Sequence, residues 1–327
     1  MKNMRTGQPS SILKNPLFWR WVITILAVIL FVVLVSQQNW TEIFTLITRI
    51  GWGKLALALA ALSCSRITVA GRWSALLQIS EKKLPFWKSV EITYAGLFSS
   101  NFLPTSIGGD VVRLIGATKE GLKSPFVLAS LIMDRVVGLT GMVIFMPFGL
   151  NNLLRYFERA THNAGLFHPN LISFSFLPAS VQLLWQKSID YVKKFTSSLQ
   201  CWLTKPTSVL LALLLTFVHM IFLFWTIQII LNGMGEALNL LQIAVIYSLA
   251  YIITLFPISI GGLGVQELSI TFFFSALGAI SQETSTALAL LIRLAFMATS
   301  LPGIFFVSDL IKENKNIEST ESHSTAE

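Results

Sequence analysis

Long apolar runs separated by short basic connections set the pattern of this chain. Phe18 to Val35 is the first run, about 27 Å long as a helix and enough to span a bilayer. Lys2, Arg5, Lys14 and Arg20 precede it as in a signal sequence. The residues that follow, Ser36 to Trp40, offer no small-residue cleavage site, so the run reads as an uncleaved first helix. Trp52 to about Gln78 reads as a second helix, apolar at first and then carrying Arg66 and Arg72. Lys82, Lys83 and Lys88 form a basic connection. Val90 to Leu103 and Asp110 to Gly121 flank an interruption, and Phe126 to Leu150 is the next span, with Asp134 and Arg135 inside it. From Asn151 to Pro206 the pattern loosens: Arg155, Glu158, Arg159 and His162 mark a loop, and Val181 to Leu203 is amphipathic. Val209 to Leu231 spans again. Leu240 to Phe256 and Val265 to Leu277 flank a second interruption, Thr286 to Val307 is the last span, and Lys312 to Glu327 reads as a disordered polar tail.

The two interruptions carry the same phrase. Pro104-Thr105-Ser106-Ile107-Gly108-Gly109-Asp110-Val111-Val112-Arg113 is matched by Pro257-Ile258-Ser259-Ile260-Gly261-Gly262-Leu263-Gly264-Val265-Gln266, followed by Glu267. Pro removes a backbone donor and the Gly pair removes side chains, so a helix breaks there. Freed backbone groups cannot face lipid and must face protein or a wet cavity. Asn101 stands beside the first break as a backbone-satisfying group. Two breaks at matching places in two halves point to a transporter-type site near the midplane.

A shift of about 153 to 158 residues lays the Trp52 helix on the Val209 helix and the Arg135 helix on the Arg293 helix. Loops that contain Lys82, Lys83 and Lys88, or Lys119 to Lys123, are basic, whereas Asn232 to Asn239 and Ser281 to Ser285 hold no Lys or Arg. Basic loops taken as cytoplasmic make the repeat inverted, with the first break entered from inside and the second from outside. The scheme needs one more crossing between Asn151 and Pro206.

Composition narrows the class. Of 327 residues, 54% are hydrophobic and 12% charged, about half the charged share of a soluble domain. The expected fold is an all-α polytopic membrane protein with about seven to nine membrane-embedded helices and two broken or re-entrant helix pairs in an inverted repeat. It divides into a first span (18–37), a repeat (52–150), a connector with an amphipathic helix (151–206), a second repeat (207–308) and a tail (312–327), residues 1–311 forming one membrane domain. The net charge of +8 is scattered between apolar runs and reads as topology signal and headgroup contact, not as a nucleic-acid surface. The two cysteines form no framework, and no nucleotide, protease, metal or dinucleotide motif is present; no cofactor is expected.

Arg135 and Arg293 each lie eight or nine residues into an apolar helix, roughly 12–13 Å deep. A charge there costs at least about 2.5–3.5 kcal/mol, so each needs a partner or a wet cavity. Asp110, Asp134 and Glu267 are the carboxylates at similar depth. Two readings fit: Arg135 and Arg293, with Arg113, hold an anionic headgroup beside the half-helix N-termini after Gly109 and Gly262; or the charges are structural ion pairs. Asp110 suits an N-cap with Arg113 one turn on and Glu267 favours its helix dipole; Asp110, Asp134 and Glu267 could instead gate or couple to protons. His219 is assigned no role.

Arg72-Trp73, Asn101-Phe102-Leu103-Pro104, Gly108-Gly109-Asp110 with Arg113, Asp134-Arg135-Val136-Val137-Gly138-Leu139, and Pro257 to Gly264 with Glu267 together resemble the lysylphosphatidylglycerol synthase transmembrane (flippase-like) family. The likeness runs from about Trp52 to Val307. In the family's full-length synthases this region is implicated in moving aminoacylated lipid between leaflets, and a soluble aminoacyl-transferase domain follows. The chain stops at Glu327 without that domain, so the resemblance implies a stand-alone flippase-like protein of the inner (plasma) membrane and not an enzyme. Its termini are expected to be cytoplasmic. Its partners are membrane lipids, with a homo-oligomer or a lipid-modifying enzyme as further expectations. A membrane transferase on a lipid-linked substrate, or a small-solute or ion transporter, stays open beside it.

Overall fold

A computed structural model describes residues 25, 29, 32, 36, 40–80, 82–102, 108–164, 206–255 and 263–307. Among the described residues there is no strand, and nine helices run ten residues or more: α1 (Trp40–Arg49), α2 (Gly51–Leu77), α3 (Phe86–Phe102), α4 (Gly108–Lys119), α5 (Ser124–Ala164), α6 (Pro206–Met234), α7 (Leu240–Leu255), α8 (Val265–Gly278) and α9 (Gln282–Ser300). Most of the first span, the amphipathic connector and the tail lie outside the described residues, as do Pro104, Pro257, Gly261 and Gly262.

Among the described residues three helices are long and apolar enough to cross a membrane: Gly51–Leu77, the Ser124–Phe148 part of α5, and Pro206–Met234. Their outer faces are apolar, with Leu210, Leu214 and Phe148 exposed, as lipid-facing surfaces require. Trp52 and Trp87 are largely exposed at opposite ends of the helical body, where indole rings favour the headgroup level.

The long α2 and α6 lie antiparallel. Lys54 Nζ donates to the Asn232 carbonyl (3.2 Å), Thr226 Oγ1 to the Ala58 carbonyl (3.4 Å), Ser65 meets His219, and Gly71 faces Leu215. As the number rises along one helix it falls along the other. These are equivalent helices of the two halves, so their opposite directions make the repeat inverted.

Each half then contributes a re-entrant hairpin. In the first, Ile92 packs on Gly116, Gly96 on Arg113, and Ser100 on Gly109, so α3 and α4 run antiparallel. Lys88 Nζ near the start of α3 lies 3.3 Å from Glu120 just past α4, which returns both ends to one face. In the second, Gly278 at the end of α8 faces Leu238 just before α7 and Ile246 in its second turn. The first hairpin follows the end of α2 and the second follows the end of α6. Because those helices point opposite ways, the hairpins enter from opposite faces.

The halves are interlocked. Asn101 of α3 donates to the Phe296 carbonyl (3.3 Å) and Ser300 Oγ (3.0 Å) of α9, while Ser248 of α7 meets Met142 of α5. A core of Ile227, Ile230, Phe224, Phe274 and Leu288 ties α6 to α9 together, and a smaller one surrounds Trp73.

Two elements differ from the sequence expectation. α1 was not anticipated as a separate helix; it buries Ile43 completely against the second half. α5 runs 41 residues to Ala164, through the stretch read as a loop around Arg155 to His162. Leu150, Leu153, Leu154, Arg155, Glu158 and Ala160 are good helix formers, so local propensity carries the helix beyond its apolar part.

Candidate functional site

Close packing of α3 on α4 seats the charged residues. A Cβ on Gly109 would overlap Ser100 Oγ and the Gly96 carbonyl, and one on Gly96 would press on the Gly109 carbonyl and the Arg113 stem. Without side chains at these two positions, α4 sits deep enough to bring Asp110 and Arg113 against α5. Asp110 falls at the third residue of α4, inside its first turn, where a carboxylate suits the positive end of the helix dipole.

Asp134 is 2% exposed and divides its two oxygens between two helices. Oδ1 accepts from Arg72 Nε (2.6 Å), and Oδ2 accepts from Arg113 Nη2 (3.1 Å). Arg113 Nη1 also lies 3.7 Å from Asp110 Oδ1, and Asp110 Oδ2 accepts from Arg135 Nε (2.8 Å) and from its Nη2. The charges therefore alternate along one chain: Arg72, Asp134, Arg113, Asp110, Arg135. The Arg113 guanidinium also lies 4.3 Å from the centre of the Trp73 ring, whose Nε1 donates to Ser130. One end of the chain is buried; the Arg135 side chain at the other is 60% exposed.

This chain forms one wall of a cavity of about 400 Å³. Arg66 and His219 reach it from α2 and α6, Tyr247 and Tyr251 from α7, and Phe296 from α9. The Arg66 guanidinium stacks 4.3 Å from the Phe296 ring centre, and its Nε is buried without a hydrogen-bond partner. Arg66 is about 22 Å along α2 from Gly51 and about 17 Å from Leu77, near mid-helix.

The sequence-stated candidates separate into two places. Arg113, Arg135, Asp110, Asp134 and Gly109 line the cavity, with Gly108 at the start of the same helix; Asn101 instead joins α3 to α9. Arg293, Glu267 and Gly264 stand apart from it. Glu267 Oε2 accepts the Gly264 N–H (2.9 Å) as a cap for α8, and Arg293 Nε lies 3.6 Å from Glu267 Oε1. Arg66, Arg72 and His219, to which the sequence assigns no site role, join Tyr247, Tyr251 and Phe296 in lining the cavity. For the two arginines the signal was there: a guanidinium in mid-span needs a polar surrounding.

A profile described as lysylphosphatidylglycerol synthase TM region matches residues 19–303. A protein described as a UPF0104 membrane protein, from Archaeoglobus fulgidus, is 23% identical over 298 residues, covering 83% of this chain and 88% of its own length. No solved structure matches.

Proposed function

The chain belongs to the lysylphosphatidylglycerol synthase TM-region family, and from that premise we propose that it moves, or assists the movement of, a phosphate-bearing lipid between leaflets. The observation that carries this reading is the cavity, where guanidinium groups outnumber carboxylates at the depth of a membrane-spanning helix. Guanidinium matches phosphate in a bidentate fork, and a site walled by protein on one side leaves the apolar tails in lipid.

Arg135 is the entry residue in this account, because it is exposed while paired with Asp110. A headgroup phosphate takes the place of the Asp110 carboxylate on Arg135. Asp134 holds Arg72 and Arg113 behind it as a fixed base. The two hairpins, entering from opposite faces, supply the elements whose tilting would open the cavity to one leaflet and then the other. The proposal places the protein in an inner (plasma) membrane with cytoplasmic termini, assigns it no catalytic step, and makes lipids its first partners, with a second copy or a lipid-modifying enzyme as others.

Reconstitution tests it. Vesicles that hold the purified protein and a headgroup-labelled anionic lipid should expose inner-leaflet label to an impermeant quencher faster than protein-free vesicles do. Equal rates for every anionic lipid, with and without a proton gradient, would sink the reading.

A further inference from the structure

The cavity is not neutral. Arg66, Arg72, Arg113 and Arg135 line it against Asp110 and Asp134, which leaves two positive charges over, His219 apart. Asp134 and Asp110 are both consumed by the alternating chain, and among the described residues no carboxylate pairs with Arg66. What Arg66 touches is the Phe296 ring, with Tyr247 and Tyr251 lining the same space. An aromatic face supports a cation but supplies no formal negative charge. A guanidinium in mid-span with its Nε buried and unpartnered therefore lacks its counter-charge.

We propose that the cavity selects a phosphomonoester, a headgroup bearing two negative charges, over a phosphodiester bearing one, and that Arg66 is the residue that makes the distinction. The proposal rests on the reading of this cavity as a headgroup site and names the class of headgroup. Arg135, freed from Asp110, takes one pair of phosphate oxygens at the mouth. Arg66, on α2, takes the terminal oxygens, where a diester carries a second ester substituent and offers neither the charge nor the free oxygen. The same dianion occurs on a monophosphate lipid and on inorganic phosphate.

The test is equilibrium titration of the detergent-solubilised full chain at about pH 8, above the second phosphate pKa of about 6. Ligands are short-chain phosphatidic acid, short-chain phosphatidylglycerol and inorganic phosphate. Phosphatidic acid should bind about tenfold or more tighter than phosphatidylglycerol. Arg66→Gln should bring that ratio to about one, and Arg66→Lys should keep part of it, since charge survives without the fork. Inorganic phosphate much weaker than phosphatidic acid makes the lipid the ligand; inorganic phosphate equally tight keeps the site and makes the free ion its ligand. Equal binding of the two lipids to the wild-type protein overturns the proposal, and needs no variant to fold. So does an Arg66→Gln protein that stays monodisperse and keeps the preference. If the preference holds while reconstituted vesicles show no lipid movement, the selective site stands and the flippase reading falls; movement without preference is the reverse.

Discussion

Ser65 Oγ lies 2.6 Å from His219 Nδ1, and the two residues stand 154 positions apart. That separation is within the offset that lays the first half of the chain on the second, so each is the other's repeat equivalent. Equivalent residues touch only where a two-fold axis passes between them. The axis of the inverted repeat therefore runs through the α2–α6 contact, at the edge of the cavity. The hydrogen bond also explains why a polar pair is tolerated mid-helix: each member satisfies the other away from water.

The antiparallel pairing predicts a cross-link. With Cys64 and Cys201 replaced by Ser, Ala58→Cys and Thr226→Cys together should form a disulfide on mild oxidation, since Thr226 Oγ1 reaches the Ala58 carbonyl at 3.4 Å. A parallel pairing would instead bring Ala58 beside Ala212. Gel mobility after proteolysis of the connector separates the two, and a cross-link between positions 58 and 212 would refute the inverted arrangement.

Much of this architecture was written in the apolar pattern and the repeated phrase. α2, α6, α7 and α8 fall within a few residues of their expected ends, because long apolar runs bounded by basic or Gly-rich stretches leave little freedom in a bilayer. α1 escaped because ten residues with one fully buried side chain carry a weak signal. The site was half legible. Intramembrane Arg and Asp residues announce themselves by cost, but which pairs with which is settled by packing: Arg72 finds Asp134 at a separation of 62 residues. The repeat misled in one respect. Arg135 and Arg293 are equivalent, yet where the first phrase has Asp110 the second has Leu263, and where the first has Arg113 the second has Gln266. The acceptor for Arg293 moves one turn on, to Glu267, and that carboxylate caps α8 instead of lining the cavity as Asp110 does.

The two carboxylates of the chain should differ sharply in what their loss does. Asp134 is buried between Arg72 and Arg113, so Asp134→Ala takes the carboxylate from Arg72 and leaves Arg113 only its 3.7 Å contact with Asp110, at a cost of about 3–5 kcal/mol. Asp110 lies 3.7 Å from Arg113, which keeps Asp134, and faces an Arg135 side chain that is 60% exposed, so Asp110→Asn should cost about 1 kcal/mol or less. Heat-challenge followed by fluorescence size-exclusion should show Asp134→Ala protein lost at temperatures that leave Asp110→Asn intact. Equal losses would place Asp110 in the structural base as well.

Glycine at 109 is required by contact and not by backbone angle. Gly109→Ala drives a methyl group into Ser100 and the Gly96 carbonyl, and backbone cannot step aside as a flexible side chain can. The expected loss is about 1–3 kcal/mol, with α4 pushed away from α3 and Arg113 drawn off Asp134. Gly53 has nothing within 4 Å of an added Cβ, so Gly53→Ala should be neutral or slightly stabilising. Thermal stability of the two proteins in one detergent checks the pair. Equal behaviour would mean that the hairpin packs less closely than these contacts require.

Glu267 gives the sharpest contrast between a structural and a transporting carboxylate. Its Oε2 accepts the N–H of Gly264, a residue at φ 78°, and its Oε1 lies 3.6 Å from Arg293. Neither residue lines the cavity. Glu267→Gln keeps an acceptor for the cap and loses only the charge on Arg293. It should lower thermal stability while leaving phosphatidic acid affinity and lipid movement unchanged at every pH where the protein is folded. Arg135→Gln should do the opposite, because Arg135 is largely exposed at the cavity mouth and its removal strips a headgroup contact without opening a buried charge. A Glu267→Gln protein that is stable yet loses movement only in the presence of a proton gradient would restore a coupling role to that carboxylate, and would shift the working site from the first half of the repeat toward the axis.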